Sequence, residues 1–170
     1  MTKVLVVTAS RHGATAEIGA AIANELEHRG IHATMTSPQD APTDLGEYDA
    51  FVVGSAIYAG RWSREANEFI DDHREVLSRR PVWLFSSGPV GAIATGPDVP
   101  SEVLEHMSAL DARSHRLFGG RLDRSRLLWW ERVAARFVHA PEGDFRDWND
   151  IESWADAIAV ALSDTAVAFR

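Results

Sequence analysis

Five short apolar runs alternate with segments of helical period, and that alternation leaves few folds open to the chain. Residues 3–8 form a continuous apolar run, the pattern of a strand buried on both faces. Residues 15–29 follow at helical spacing, with Ile18, Ala21, Ile22 and Leu26 on one stripe and Gly30 at the position of a helix C-cap. Residues 31–36 read as a weaker, more polar strand at or near a sheet edge, and residues 50–55 as a second buried strand. A helix is expected over 63–78, with Ala66, Phe69, Ile70 and Leu77 inward. Residues 81–85 read as the fourth strand, and 101–112 as a helix burying Val103, Leu104, Met107 and Leu110. The fifth strand is expected over 115–122, and a closing helix over 149–162, carrying Ile151, Trp154, Ala155, Ile158 and Leu162 at core spacing. Strands alternating with helices imply one parallel sheet wound on both faces. Neither an internal repeat nor a Pro/Gly-rich linker divides the 170 residues, which read as a single domain, 1–170.

In such sheets ligands bind beyond the carboxyl ends of the strands, and three segments there carry unusual chemistry. The first, Thr8 to Thr15, joins a strand to a helix through hydroxyls and one glycine. Backbone N–H groups and a helix N-terminus meet there, as a phosphate requires. Thr8, Ser10 and Thr15 can donate hydroxyls, while Arg11 and His12 add positive character. The segment has neither the lysine of a G-x-x-x-x-G-K-[ST] loop nor the glycines of G-x-G-x-x-G. It suits a mononucleotide with one terminal phosphate held mainly by neutral donors. A plain surface turn with a capped helix is the competing reading.

The second segment, Ser55-Ala-Ile-Tyr-Ala-Gly-Arg-Trp62, brings Tyr58 and Trp62 to the next strand end, where aromatic faces can hold a planar heterocycle. Gly60 permits positive φ and a close approach. Tyr58 is read as a ligand contact; for Trp62 a packing role carries at least equal weight. The third, Ser86-Ser-Gly-Pro-Val-Gly91, can lay main-chain donors along a polar ring edge or be an ordinary loop.

The formal net charge of −8 argues against nucleic acid as the main partner. The chain has no cysteine, which excludes disulfides, thiolate metal sites and a cysteine nucleophile. His28 and His32 are separated by Gly30 and do not read as a metal pair, and no G-x-S-x-G elbow supports hydrolase chemistry. Without a signal-peptide pattern or an apolar run of about 18 residues, the chain is expected in the cytoplasm, with any membrane contact peripheral at the inner face.

Residues 123–147 are too long for an ordinary connection. Within them 126–138 reads as a helix with Leu127, Trp130, Val133, Ala134 and Phe137 on one stripe. Between 121 and 136 stand five arginines (Arg121, Arg124, Arg126, Arg132, Arg136) against Asp123 and Glu131, beside Trp129 and Trp130. Such a segment suits an anionic membrane surface or a substrate bearing carboxylates; a helix packing its aromatics inward is the plainer reading.

Three stretches carry a resemblance to flavodoxin-like FMN proteins, and specifically to the menaquinone-dependent protoporphyrinogen IX dehydrogenase family. They are Val6-Val-Thr-Ala-Ser-Arg-His-Gly-Ala-Thr15, Tyr48 to Trp62 with Phe69-Ile-Asp-Asp-His73, and Gly119-Gly-Arg-Leu122 with Trp129-Trp130-Glu-Arg132 and the Arg-Asp-Trp within 143–154. The resemblance implies an α/β, flavodoxin-like, doubly wound five-stranded parallel sheet of order 2-1-3-4-5, with a helical insert before the last helix. By the same resemblance Ser10, His12, Gly13, Ala14 and Thr15 cradle the FMN phosphate. Ser55, Ala56, Ile57, Tyr58, Ala59 and Gly60 would flank the isoalloxazine with Ser86, Ser87, Gly88, Pro89, Val90 and Gly91. Thr8 and Arg11 join this set from the loop's own chemistry. The third loop and the mixed charge of the insert depart from the family pattern. The implied activity passes electrons from a reduced organic substrate, a porphyrinogen, to a quinone, with peripheral membrane contact through 121–138. A flavodoxin-type carrier docking to redox proteins is the alternative. No side chain is singled out as catalytic, no metal is expected, and the sequence selects no oligomeric state.

Overall fold

The computed structural model describes residues 1–88, 99–122 and 143–168. The strands are β1 (Lys3–Ala9), β2 (His32–Thr36), β3 (Ala50–Tyr58), β4 (Arg61–Trp62), β5 (Val82–Gly88), β6 (Ser114–Gly119), β7 (Arg121–Leu122) and β8 (Gly143–Asp144). The helices are α1 (Ala14–His28), α2 (Arg64–Asp72), α3 (Arg74–Leu77), α4 (Ser101–Leu110) and α5 (Trp148–Ala168). The long parallel strands lie in the order β2-β1-β3-β5-β6. Passing over the two-residue β4, which folds back antiparallel on β3, this is the expected order 2-1-3-4-5.

Alternation along the buried strands feeds two apolar layers, because successive strand residues point to opposite faces. Val4, Val6, Val52 and Phe85 pack with Ile18, Ile22 and Leu26 of α1 and with Ile151, Trp154 and Ile158 of α5. Leu5, Val7, Phe51, Val53 and Leu84 pack with Phe69 and Ile70 of α2, Leu77 of α3 and Val103 and Leu110 of α4. β2 is an edge strand with exposed positions, as its polar sequence indicates.

The observed elements depart from the expected ones in several places. β3 and β5 run on through Ser55–Tyr58 and Ser86–Gly88, because their neighbours continue to pair with them: Ala9 with Ser55, Ala56 with Ser87, and Gly88 with Gly119. Flanking strands hold small polar residues extended where local composition reads as a loop. The helix expected over 63–78 breaks at His73. In α4, Leu104 is 59% exposed and His106 takes the inward position. The fifth strand ends at Gly119, and β7 pairs instead with β8 as a separate antiparallel ribbon. This ribbon is a neck on either side of residues 123–142; the helix expected over 126–138, with Trp129 and Trp130, lies outside the described residues.

The neck is tied to α1 by charge. The Arg146 side chain, 3% exposed, donates to both carboxylate oxygens of Asp144 (2.8 and 2.5 Å) and to Glu17 Oε2 (2.6 Å). Its guanidinium also lies 4.5 Å from the centre of the Trp148 ring. Arg121 Nη2 stands 3.2 Å from the other Glu17 oxygen.

Two stability predictions follow from this packing. Gly54 lies opposite Phe85 in the sheet, and a Cβ there would run into the Phe85 ring. Phe85 is fully buried and itself packs on Phe118 and Trp154. Gly54→Ala is therefore expected to cost about 1–3 kcal/mol and to lower Tm by roughly 2–12 °C in calorimetry. The Arg146 hydrogen bonds hold the Asp144 carboxyl down to about 2, from 3.8 when free. A depressed carboxyl stabilises the fold above its unfolded pKa and loses that contribution as pH falls toward its folded one. The Asp144 side chain is 42% exposed, so screening keeps the effect to about 1 kcal/mol or less. In urea denaturation Asp144→Asn should be less stable than the unaltered chain at pH 6, with the gap closing between pH 4 and pH 2.

Candidate functional site

The three chemistry-bearing segments meet at one rim because β1, β3 and β5 are adjacent and parallel, so their carboxyl ends emerge together. Side chains link them directly. Thr15 Oγ1, in the first turn of α1, lies 2.7 Å from Ser87 Oγ, with both residues buried. The Arg11 N–H donates to the Tyr58 hydroxyl at 3.3 Å. The Arg11 guanidinium stands 5.2 Å from the centre of the Tyr58 ring, and His12 meets that ring edge-on at 6.5 Å. Gly88 lies against Ile57 of β3, and its carbonyl oxygen is 2.7 Å from where a Cβ on Gly120 would stand. Gly120 thus lets the neck approach the end of β5 closely.

The first loop presents donors. Gly13, the N-cap of α1, has φ 88° and brings no capping side chain to the helix. Ser10 Oγ accepts from the Gly13 N–H at 3.1 Å, folding the loop over the helix start. The N–H groups of a first helical turn have no intrahelical acceptor, and here the cap supplies none from a side chain. Backbone donors, a helix N-terminus and the Thr15 hydroxyl form a donor set that fits a phosphate.

The second segment is a hairpin. Ala59 (φ 49°) and Gly60 (φ 76°) both adopt left-handed backbone, the signature of a two-residue turn matched to strand twist. Ile57 pairs with Trp62 and Tyr58 with Arg61. The turn sends Tyr58 toward the first loop and Trp62 into the core. Trp62 is 4% exposed and packs with the apolar layer under α2 and α4, so packing is its role.

Several expected contacts sit elsewhere. Ser55 is fully buried; its hydroxyl donates to the Ala56 carbonyl and accepts the Ser63 N–H at 3.0 Å, securing the hairpin base. Ser86 and Ser87, consecutive in β5, face opposite layers. Ser87 points to Thr15, while Ser86 points away from it, beneath the hairpin. Ser86 Oγ accepts the Trp62 Nε1–H at 2.7 Å and lies 2.8 Å from His115 Nε2. An indole only donates, so the Ser86 hydroxyl proton is left for His115, which then accepts as the neutral ring. Burial lowers the His115 pKa, favouring that neutral form. Glu102 Oε1 accepts the Trp62 backbone N–H at 2.9 Å and completes the anchor. Pro89, Val90 and Gly91 lie outside the described residues.

Beside the first loop, Thr8, Ser10, Arg11, Tyr58, Ser63 and Glu65 line a cavity of about 130 Å³. Glu65 is held below the usual carboxylate range by its own backbone N–H and the Ser63 side chain, so it stays charged near neutrality. Ser63, Glu65, Glu102, His115 and the Arg146 cluster escape a reading of loops alone. Their sequence signals are weak: a polar residue inside a strand for His115, and the Arg-Asp-Trp motif for Arg146.

Comparison with known proteins agrees with this geometry. The flavodoxin domain family matches residues 5–149. The protoporphyrinogen IX dehydrogenase [quinone] of Escherichia coli strain K12 is 25% identical, over 92% of this chain and 94% of the relative. Among solved structures, flavodoxin 2 of Bacillus cereus superposes with a TM-score of 0.61 at 19% identity, covering 96% of this chain and 99% of its own. The rubredoxin oxygen:oxidoreductase of Desulfovibrio gigas gives 0.69 at 11% identity, over 96% of this chain and 37% of that one. A rim with a phosphate-ready loop, an aromatic hairpin and this fold has one consistent assignment: the chain belongs to the flavodoxin domain family, and its cofactor is FMN.

Proposed function

We propose that the chain is an FMN-dependent oxidoreductase that takes electrons from a reduced organic substrate, protoporphyrinogen IX, and delivers them to a quinone. The observation that carries the cofactor's placement is the meeting of the three rim segments through Thr15–Ser87 and Arg11–Tyr58. The donor and acceptor rest on the likeness to the quinone-linked relative along nearly the whole chain.

In this reading the residues divide the work. Ser10 to Thr15 bind the phosphate with backbone N–H groups, the α1 N-terminus and hydroxyls. Tyr58 and the backbone of Ala56 to Gly60 cover one side of the ring, and Ser87 and Gly88 approach it from the other strand end. The ring supplies the one- and two-electron redox chemistry, while the protein binds, orients and limits access. Trp62, Ser86, Ser55 and Glu102 hold the hairpin at a fixed height above β5, which excludes water from beneath it. The arginine- and tryptophan-rich segment between β7 and β8 meets carboxylate-bearing substrate or an anionic lipid surface from the adjoining neck. Among the described residues no helix is long and apolar enough to cross a membrane; in this reading the lipid contact is peripheral.

A flavodoxin-type carrier is the second reading, favoured by the net charge of −8, which steers a protein toward basic partners. Anaerobic mixing of the FMN-loaded chain with protoporphyrinogen IX and a menaquinone analogue separates the two. Porphyrin fluorescence should rise only when chain and quinone are both present. No bleaching of the flavin by the porphyrinogen, with rapid exchange to a redox protein, would favour the carrier. For the cofactor site itself, Thr15→Val removes a hydroxyl at constant shape. Loss of a hydrogen bond to a charged group costs about 1.5–3 kcal/mol, so FMN should bind roughly ten- to a hundredfold more weakly by fluorescence titration.

A further inference from the structure

The ion cluster at the neck bears on cofactor binding, beyond joining two parts of the fold. Glu17 lies in the first turn of α1; its backbone N–H donates to the Gly13 carbonyl at 2.9 Å. A carboxylate in a first turn is favourable to an isolated helix, because it complements the positive end of the macrodipole. A phosphate bound at the same helix start draws on that same positive end. The two anions therefore oppose one another within one turn, unless cations offset the carboxylate.

Those cations come from the other end of the chain. Arg146 Nη1 donates to Glu17 Oε2 at 2.6 Å, and Arg121 Nη2 stands 3.2 Å from Oε1. Arg146 is held by three independent contacts: the two-point bond to Asp144, the bond to Glu17 and the Trp148 ring. With its side chain 3% exposed, it is locked against the α1 terminus and poorly reached by screening ions. Nothing in simple docking of a ribbon onto a helix requires the contact to fall on the first turn, where charge matters most to an anion.

We propose that Arg146, supported by Arg121, is a charge-compensating positioning residue for the FMN phosphate: it cancels the Glu17 carboxylate at the start of α1 and so couples the neck of the 123–142 segment to cofactor affinity. This rests on the placement of the phosphate in the 10–15 loop. The compensation acts on the phosphate alone, and riboflavin, which has the same ring and ribityl chain without the phosphate, is the built-in control.

The test is fluorescence titration of the apoprotein with FMN and with riboflavin at low salt. Arg146→Gln should raise the Kd for FMN about tenfold and leave that for riboflavin within twofold; the Glu17→Gln, Arg146→Gln pair should recover most of the loss. Glu17→Gln alone changes a half-exposed side chain and keeps the fold testable. It leaves two arginines facing the single carboxylate of Asp144 and should tighten FMN several-fold without altering riboflavin. Equal weakening of both ligands in Arg146→Gln, or an unchanged FMN Kd in Glu17→Gln, overturns the proposal and leaves the cofactor assignment intact. Riboflavin and FMN binding equally well to the unaltered chain overturns the phosphate placement itself, and the proposal with it.

Discussion

Parallel register is the constraint on which the rest depends. Ala9 faces Ser55, Ala56 faces Ser87 and Gly88 faces Gly119, so three chain segments far apart in sequence end at one height. The backbone hydrogen bonds of a parallel sheet set that height, and a slip of one residue would exchange every side chain between the two layers. Both layers are filled with large apolar groups, Phe85 and Trp154 on one side and Phe51 and Phe69 on the other. The core therefore holds the register, and the register delivers Thr15, Tyr58 and Ser87 to the same place.

Beneath the rim the protein spends polar groups where an apolar core would otherwise continue. Ser86, Trp62, His115 and Glu102 form a network in which both Trp62 N–H groups and the Ser86 hydroxyl find acceptors, so it favours one arrangement of the hairpin. The left-handed turn at Ala59–Gly60 makes the same choice from the other side: only a tight reversal sends Tyr58 up and Trp62 down. Holding an aromatic ring over a cleft needs such support, because a hairpin ending in a two-residue strand has little stability of its own.

The neck gives the family likeness a physical content. Gly120 admits the neck beside Gly88, the β7–β8 ribbon frames residues 123–142, and Arg146 fastens the ribbon to α1. The segment richest in arginine and tryptophan thereby leaves and rejoins the fold next to the rim where the three chemistry-bearing segments meet.

Periodicity determined the doubly wound sheet and its buried helix faces, the resemblance supplied the strand order, and local residue types marked the hydroxyl-rich first loop, because those features are local or repeat along the chain. Thr15 and Tyr58 were legible for the same reason: each sits where a buried apolar run gives way to hydroxyl, aromatic or glycine residues. What tertiary structure decided was direction and partnership. Ser86 and Ser87 are identical in sequence, yet the pleat turns one to Thr15 and the other to Trp62. His106 displaced Leu104 from the inner face because Asn67 of α2 offers it an acceptor at 2.8 Å. Glu17 and Arg146, 129 positions apart, meet only once the last helix packs beside α1. Contacts of that range have no periodic or local signature, and folding creates them by bringing distant charges into a shared, poorly hydrated space.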